Sequence, residues 1–241
     1  MLCDISIIVP VHNEAENVVP LALEVAAALN AEQWPYELVF VDDASTDATW
    51  QQIHEARARN PRIRGLRHAR NAGQSAALWT GIRVTTSPII ATMDGDRQND
   101  PADFPTMLRH LDQSDFVCGV RTKRQDNWLR RVSARVARRA RKWVLKVDFA
   151  DTGCGLRVFR RSAVEDLLPF NGFHRFLPVL VHGSGARTLE VAVNHRPRVA
   201  GVSKYGLWNR LGRGIADLFA IAWYQRRRLS RVPFENLSPP P

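Results

Sequence analysis

Long apolar runs are missing from this chain of 241 residues, although 45% of them are hydrophobic. No stretch approaches the roughly 20 apolar residues that a spanning helix needs. The best stretch, Gly214–Tyr224, is short and carries Asp217. Cysteine is scarce: Cys3, Cys118 and Cys154 are odd in number and far apart. They make neither a disulfide framework nor a zinc pattern, and they fit a reducing compartment. A leader peptide is not expected, because Asp4 and the run Ile5–Val11 read as a first strand. There is no G-x-G-x-x-G after that strand and no G-x-x-x-x-G-K-[ST] anywhere, which argues against a dinucleotide site and a P-loop.

Acidic residues are sparse in the second half. Residues 119–241 hold 25 Lys/Arg against 8 Asp/Glu, whereas residues 1–118 hold 9 against 16. An acidic front and a basic back predict two tasks, with the basic part meeting an anionic partner. Nucleic acid is disfavoured as that partner: no nucleic-acid-reading motif is visible, and the aromatics sit on apolar helix stripes.

What is present in the first hundred residues is an alternation. Strands are expected at 5–11, 36–43, 63–68 and 88–94, with helices at 16–30, 45–60 (capped by Ser45) and 73–85. Alternation of this kind implies an α/β fold with a mostly parallel sheet flanked by helices. Ligands then bind outside the carboxyl ends of the strands. Those ends carry polar clusters: Pro10-Val11-His12-Asn13-Glu14, Asp42-Asp43-Ala44-Ser45, Arg70-Asn71-Ala72-Gly73 and Asp94-Gly95-Asp96. Each cluster alone is ordinary loop or capping chemistry; four at one edge predict a site. Asp94, Asp96 and Gln98 offer hard oxygen donors suited to Mg²⁺ or Mn²⁺, with positions left for diphosphate oxygens.

"IIVPVHNEAENV", "VFVDDASTDATW", "RHARNAGQSAALWTGI" and "MDGDRQNDPADF" together resemble family 2 glycosyltransferases of the GT-A fold. "DTGCGLRVFRRSAV", "FHRFLPVLV" and "VNHRPRVAGVSKYGLWNRLGRGIADLF" resemble the polyprenyl-phosphate, dolichyl-phosphate mannose synthase-like branch. The resemblance implies a metal-dependent, inverting enzyme that moves a sugar from a nucleotide sugar to a lipid phosphate. It places Pro10, His12, Glu14 and Asp43 around the nucleotide and the metal on Asp94, Asp96 and Gln98. Three positions depart from the family pattern: His12 replaces a tyrosine, Ala44 a glycine and Arg97 an apolar residue.

A lipid phosphate has its second pKa near 6, so it attacks without a strong base and needs positioning instead. Forked arginines suit that task. Arg121, Arg130 and Arg131 with Ser133 are the expected acceptor ligands, and Arg121 and Arg131 are counted with Asp96 as catalytic. Arg198 and Lys204 are expected to close over phosphates. His174 would serve as a base only for a hydroxyl acceptor, the alternative enzymatic reading. A basic adaptor without catalysis is the other alternative.

The implied organisation is a glycosyltransferase domain over 1–126 and 148–206, basic amphipathic helices over 127–147 and 207–231, and a flexible tail over 232–241. Trp128 to Val147 contains eight Lys/Arg and no acid. An apolar stripe through Trp128, Val132, Val136, Ala140 and Val144, with Trp143 and Val147 nearby, reads as lying in a membrane interface. A second stretch through Leu218, Phe219, Ala222 and Trp223 is expected to join it. The location expected is cytoplasmic and peripheral, on an anionic inner membrane face; self-association is left open.

Overall fold

The computed structural model describes residues 4–121, 138–140, 142–197 and 208–228, with 208–215 given as backbone alone. The first half runs β1 (Ile5–Val11), α1 (Ala15–Asn30), β2 (Tyr36–Asp42), α2 (Thr49–Arg59), β3 (Ile63–Arg67), α3 (Gln74–Val84) and β4 (Ile89–Thr92). The second half runs α4 (Phe104–Arg109), β5 (Phe116–Arg121), β6 (Arg157–Arg160), α5 (Phe173–Gly183), β7 (Thr188–Val193) and α6 (Trp208–Arg227). All seven strands form one sheet in the order β3-β2-β1-β4-β6-β5-β7. Pairing is parallel except at β6, which runs antiparallel to both β4 and β5.

Period-two alternation sorts the core into two layers. Ile5, Ile7, Val9 and Val11 of β1 face Val18, Leu21, Val25 and Leu29 of α1, with Ile53 of α2 and Met107 of α4. Ile8, with Val39 and Val41 of β2, faces the opposite layer, where Leu78 and Ile82 of α3 pack with Leu177 and Leu180 of α5. Helices therefore cover both faces, as the continuous apolar runs of a central parallel sheet require.

Two local expectations need correction. α2 begins at Thr49, not at Ser45. The N-cap position is Ala48, which has no capping side chain, and Asp47 just before it accepts Thr49 N (3.0 Å) and the Thr49 hydroxyl (2.5 Å). The apolar stripe expected to lie in a membrane also splits. Val147 is buried in the α3–α5 layer with Ala140 and Val144 partly buried against it, and Leu218 and Ile221 of α6 are buried there too. Trp143, Phe219 and Trp223 point outward, 84%, 59% and 66% exposed. Trp128, Val132 and Val136 lie outside the described residues.

Candidate active site

The exits of β1 and β2 are laced together. Asn13 N donates to Ser45 Oγ (2.9 Å), Thr46 N to Asn13 Oδ1 (2.8 Å) and Glu14 N to Thr49 Oγ1 (2.8 Å). Ser45, expected as a helix cap, is instead the link between these loops, and its own N–H donates to Asp42 (2.8 Å). Asn13 and Ala44 sit at φ +54° and +57°. The left-handed region costs a residue with a side chain about 1–2 kcal/mol. Ala44 therefore bears the strain that a glycine at that position would avoid. Pro10, the one partly exposed residue of β1, and Glu14, whose carboxylate accepts Asn17 Nδ2 (2.6 Å), stand at this rim.

Asp43 is the hub behind the rim. Its Oδ1 accepts Ala72 N (2.8 Å) and His68 Nδ1 (2.7 Å), and its Oδ2 accepts Gly73 N (2.7 Å). Burial would raise its pKa, but these hydrogen bonds outweigh burial and hold it below the usual carboxylate range. One lone-pair direction on Oδ2 is left for a ligand. The His12 ring donates from Nδ1 to the Asp43 carbonyl (2.9 Å), which fixes its tautomer and plane. Asp43 thus shapes the pocket through the Ala72-Gly73 turn more than through direct contact.

Asp94 leaves the end of β4 one residue past Met93. Its Oδ1 accepts Gln74 Nε2 (2.9 Å) from the start of α3, and its N–H donates to the buried Asn99 (3.0 Å). Gly155 lies directly against it: a Cβ there would fall 2.4–2.6 Å from the three carboxyl atoms. Burial and the negative charge of Asp96 push Asp94 up to about 6, against the pull of Arg157 and Arg121. Two like-charged carboxylates, one held near neutrality, make a donor set that a hard divalent cation relieves. Among the described residues no group of three or more acidic, His or Cys side chains gathers into a cage. Gln98 is placed differently from the expectation: its backbone N–H caps Asp96 Oδ1 (3.2 Å), while its amide turns toward the Arg196 carbonyl (3.5 Å).

The cationic side comes from the second half. Arg121 at the end of β5 spends Nε and Nη2 on Asp151 (2.7 and 2.9 Å). Its fork, expected to be open for a phosphate, is therefore engaged by protein. Arg157 of β6 is 3% exposed, donates to the Thr152 carbonyl (3.1 Å) and has a buried Nε without an acceptor among the described residues. Arg175, one residue past His174, faces Asp217 at 3.6 Å, and its Nε is likewise buried and without a partner among the described residues. Arg130, Arg131, Ser133, Arg198 and Lys204 lie outside the described residues.

His174 is a latch. Gly172 N donates to Ser75 Oγ (2.9 Å), and Ser75 Oγ and His174 Nδ1 share a hydrogen bond (2.6 Å). Burial, then the charges of Arg157 and Arg175, lower its pKa to about 3. The unfolded imidazole titrates near 6.5, so between these values the unfolded chain binds the extra proton. Stability from this residue is complete above pH 6.5 and drains as pH falls toward 3. Across that window the slope approaches about 1.4 kcal/mol per pH unit. Urea midpoints at pH 7, 5.5 and 4.5 should fall less steeply for His174→Gln than for the wild type. Parallel curves would refute the neutral latch.

Sequence reasoning missed Gln74, Gly155, Arg157 and Arg175. "GQSAALW" and "FHRFL" flagged two of the neighbourhoods, but it is the start of α3 that brings Gln74 to Asp94 and the pairing of β6 with β4 that brings Gly155 and Arg157 there, while Arg175 stands beside His174.

A family model described as "Glycosyl transferase family 2" matches residues 6–168. The chain is 38% identical over 229 residues to a dodecaprenyl-phosphate galacturonate synthase of Rhizobium johnstonii, covering 92% of this chain and 68% of that protein. It is 32% identical over 205 residues to an undecaprenyl-phosphate 4-deoxy-4-formamido-L-arabinose transferase of Aeromonas hydrophila, covering 84% of this chain and 63% of that one. The chain thus spans about two thirds of the length of these relatives. In fold it matches glucosyl-3-phosphoglycerate synthase from Mycobacterium tuberculosis, solved with Mn²⁺, uridine diphosphate and phosphoglyceric acid. That match has a TM-score of 0.66 and 16% identity, and covers 95% of this chain and 80% of the other.

Proposed function

The chain belongs to glycosyl transferase family 2, and from that premise we propose that it transfers a sugar, with inversion, from a nucleotide-diphosphate sugar to a polyprenyl phosphate. The observation that carries this reading is the pairing of Asp94 and Asp96 at the exit of β4 with a cationic flank, Arg121 and Arg157, from β5 and β6. The named acceptors of the two relatives, dodecaprenyl and undecaprenyl phosphate, support the same class.

Each residue has a task that follows from its surroundings. His12 and Asp43 fix the walls where the nucleoside enters. Asp94 and Asp96 would hold Mg²⁺ or Mn²⁺, which neutralises the departing diphosphate. An acceptor phosphate oxygen bonds to the anomeric carbon from the face opposite the diphosphate. The carbon–oxygen bond to the diphosphate breaks, and its electron pair leaves with the nucleotide. The acceptor is already largely dianionic at neutral pH, so no proton has to be removed. Arg121 and Arg157 supply a positive field toward it, and Arg175 adds another guanidinium from α5. Arg130, Arg131, Ser133, Arg198 and Lys204 complete the phosphate contacts in this proposal. His174 favours a phosphate acceptor over a hydroxyl, because a group with a pKa of about 3 is a poor base at pH 7.

The test is incubation with Mn²⁺ or Mg²⁺, undecaprenyl phosphate and a panel of labelled nucleotide sugars, followed by lipid extraction. Label in the lipid phase that chelator abolishes is the expected result. Label appearing only on glycan hydroxyls, with none in the lipid, would overturn the acceptor assignment.

No helix among the described residues is long and apolar enough to cross a membrane. Trp143, Phe219 and Trp223 are exposed, and Arg138, Arg139, Lys142, Arg226 and Arg227 lie on the same segments. We assign these segments to an anionic membrane surface on the cytoplasmic side. Each basic residue near such a surface contributes about 1 kcal/mol. Flotation with liposomes containing anionic lipid should be strong at low salt and drop severalfold at 1 M, where the Debye length shrinks to about 3 Å. Binding indifferent to lipid charge would contradict the assignment.

A further inference from the structure

Three residues far apart in the chain meet on the outer side of the Asp94–Asp96 loop. Glu24 of α1 accepts Arg97 Nε on Oε1 (3.0 Å), with Arg97 Nη2 beside it, and Arg196 Nη1 on Oε2 (2.6 Å). Arg196 extends its other arm to Asp100 (2.6 Å). The backbone follows the same seam: Arg196 N donates to the Gln98 carbonyl (2.9 Å), Asn99 bridges His195, and Asn194 N donates to Asp103 (2.8 Å). On the inner side of the seam, Asn99 Oδ1 holds the Asp94 N–H.

Arg97 sits between Asp96 and Gln98 at φ +60°, a conformation unfavourable for a residue with a side chain. Such a conformation persists only where surrounding contacts fix it. Here the fixing contact is Glu24. Its carboxylate divides its two oxygens between two guanidinium groups that would otherwise repel across the same gap. Glu24, Arg97 and Arg196 are all partly buried, at 24%, 23% and 39% exposure, so their attraction is only partly screened by water.

We propose that Glu24 is a positioning residue for donor binding: it clamps the carboxylate loop to the segment after β7 and so sets where Asp94 and Asp96 point. The role rests on the glycosyltransferase reading given above. It touches neither substrate nor reacting atoms and acts through Arg97 and Asn99. Residues that orient metal-binding carboxylates change metal affinity or activity by about 10–100-fold when removed.

The test uses the full chain and the variants Glu24→Gln, Arg97→Gln and the double variant. Mn²⁺ binding is followed by loss of the free-ion EPR signal, and KM is measured for donor and for undecaprenyl phosphate. Glu24→Gln should weaken Mn²⁺ and raise donor KM about tenfold, with acceptor KM within about twofold of wild type. Adding Arg97→Gln should cost less than about twofold more, because both changes break one link. Arg196→Gln, at a more exposed position, repeats the donor effect if Glu24→Gln folds poorly. Glu32→Gln, which removes a solvent-exposed pair with Arg109, should change neither quantity. Unchanged Mn²⁺ affinity and donor KM in Glu24→Gln and Arg196→Gln, in an otherwise active protein, would overturn the role alone. Equal loss for donor and acceptor would mark Glu24 as merely structural and overturn it too. A wild-type chain that neither binds Mn²⁺ nor transfers sugar would overturn the functional reading and the clamp with it.

Discussion

Gly155→Ala should cut sugar transfer about a hundredfold or more while leaving the sheet folded. The reason is a collision. The new methyl would sit 2.4, 2.5 and 2.6 Å from Oδ2, Cγ and Oδ1 of Asp94. The backbone cannot retreat easily, because the Gly155 carbonyl accepts the Thr92 hydroxyl (2.8 Å) and β6 starts two residues later. Asp94 must therefore move, breaking its bond to Gln74 and turning its oxygens away from Asp96. A displacement of about 1 Å in a reacting constellation costs about a hundredfold in rate. Gly153→Ala is the control. Its Cβ would meet Arg121 Nη2 at 3.3 Å, the far end of a flexible side chain, and transfer should fall only severalfold. Circular dichroism melts on both variants separate displacement from unfolding. Near-normal transfer by Gly155→Ala would mean that the observed place of Asp94 is irrelevant to the reaction.

Asp96→Ala should reduce transfer by about a thousandfold, with a melting temperature close to wild type. Asp96 is partly exposed, stands past the end of β4 outside both core layers and accepts the Gln98 N–H (3.2 Å), so its loss removes little from the core. What disappears is half of the charge that would hold a cation beside the diphosphate. The same substitution removes one of the influences that raise the Asp94 pKa, so Asp94 should titrate lower in the variant. Mn²⁺ titration and transfer with and without EDTA read both effects. Wild-type transfer by Asp96→Ala in EDTA would end the assignment of this pair to a metal.

The first half of the fold was legible because one signal repeats there. Each strand is an apolar run that stops at a polar residue, and each helix has a stripe one turn apart. β1 falls on the expected residues, Ile5–Val11, and α1 starts one residue early. The same rule singled out Asp43, Asp94 and Asp96, and the structure places them just past β2 and β4, since a parallel sheet puts its strand exits at one edge. The second half resisted for a physical reason. β6 is only four residues long and is flanked by glycines and arginines, so no period is visible. Arg157 looks like a surface cation in sequence, yet it is buried opposite Thr92 of β4. Arg121 reads in sequence as an open cation, but its engagement by Asp151 depends on a residue 30 positions away. The basic stripe misled in part because one face of a helix buries leucine and valine whether its partner is lipid or protein.

The placement of β6 between β4 and β5 has a consequence for how the chain assembles. β5 is made before β6, yet in the sheet it touches β6 and β7 and never β4. During synthesis the edge of β4 therefore waits, unpaired, until residues 157–160 arrive to fill it. A waiting edge is a template for wrong partners, and its risk grows with the time it stays open. The β1–β4 block can collapse on α1, α2 and α3 with short loops to close, whereas the last three strands must pair across long separations and form slowly. Gly155 and Arg157 stand at the start of the strand that closes this gap. The residues that complete the site are thus among the last to reach it, and an incompletely folded chain carries paired aspartates without the partners that set them.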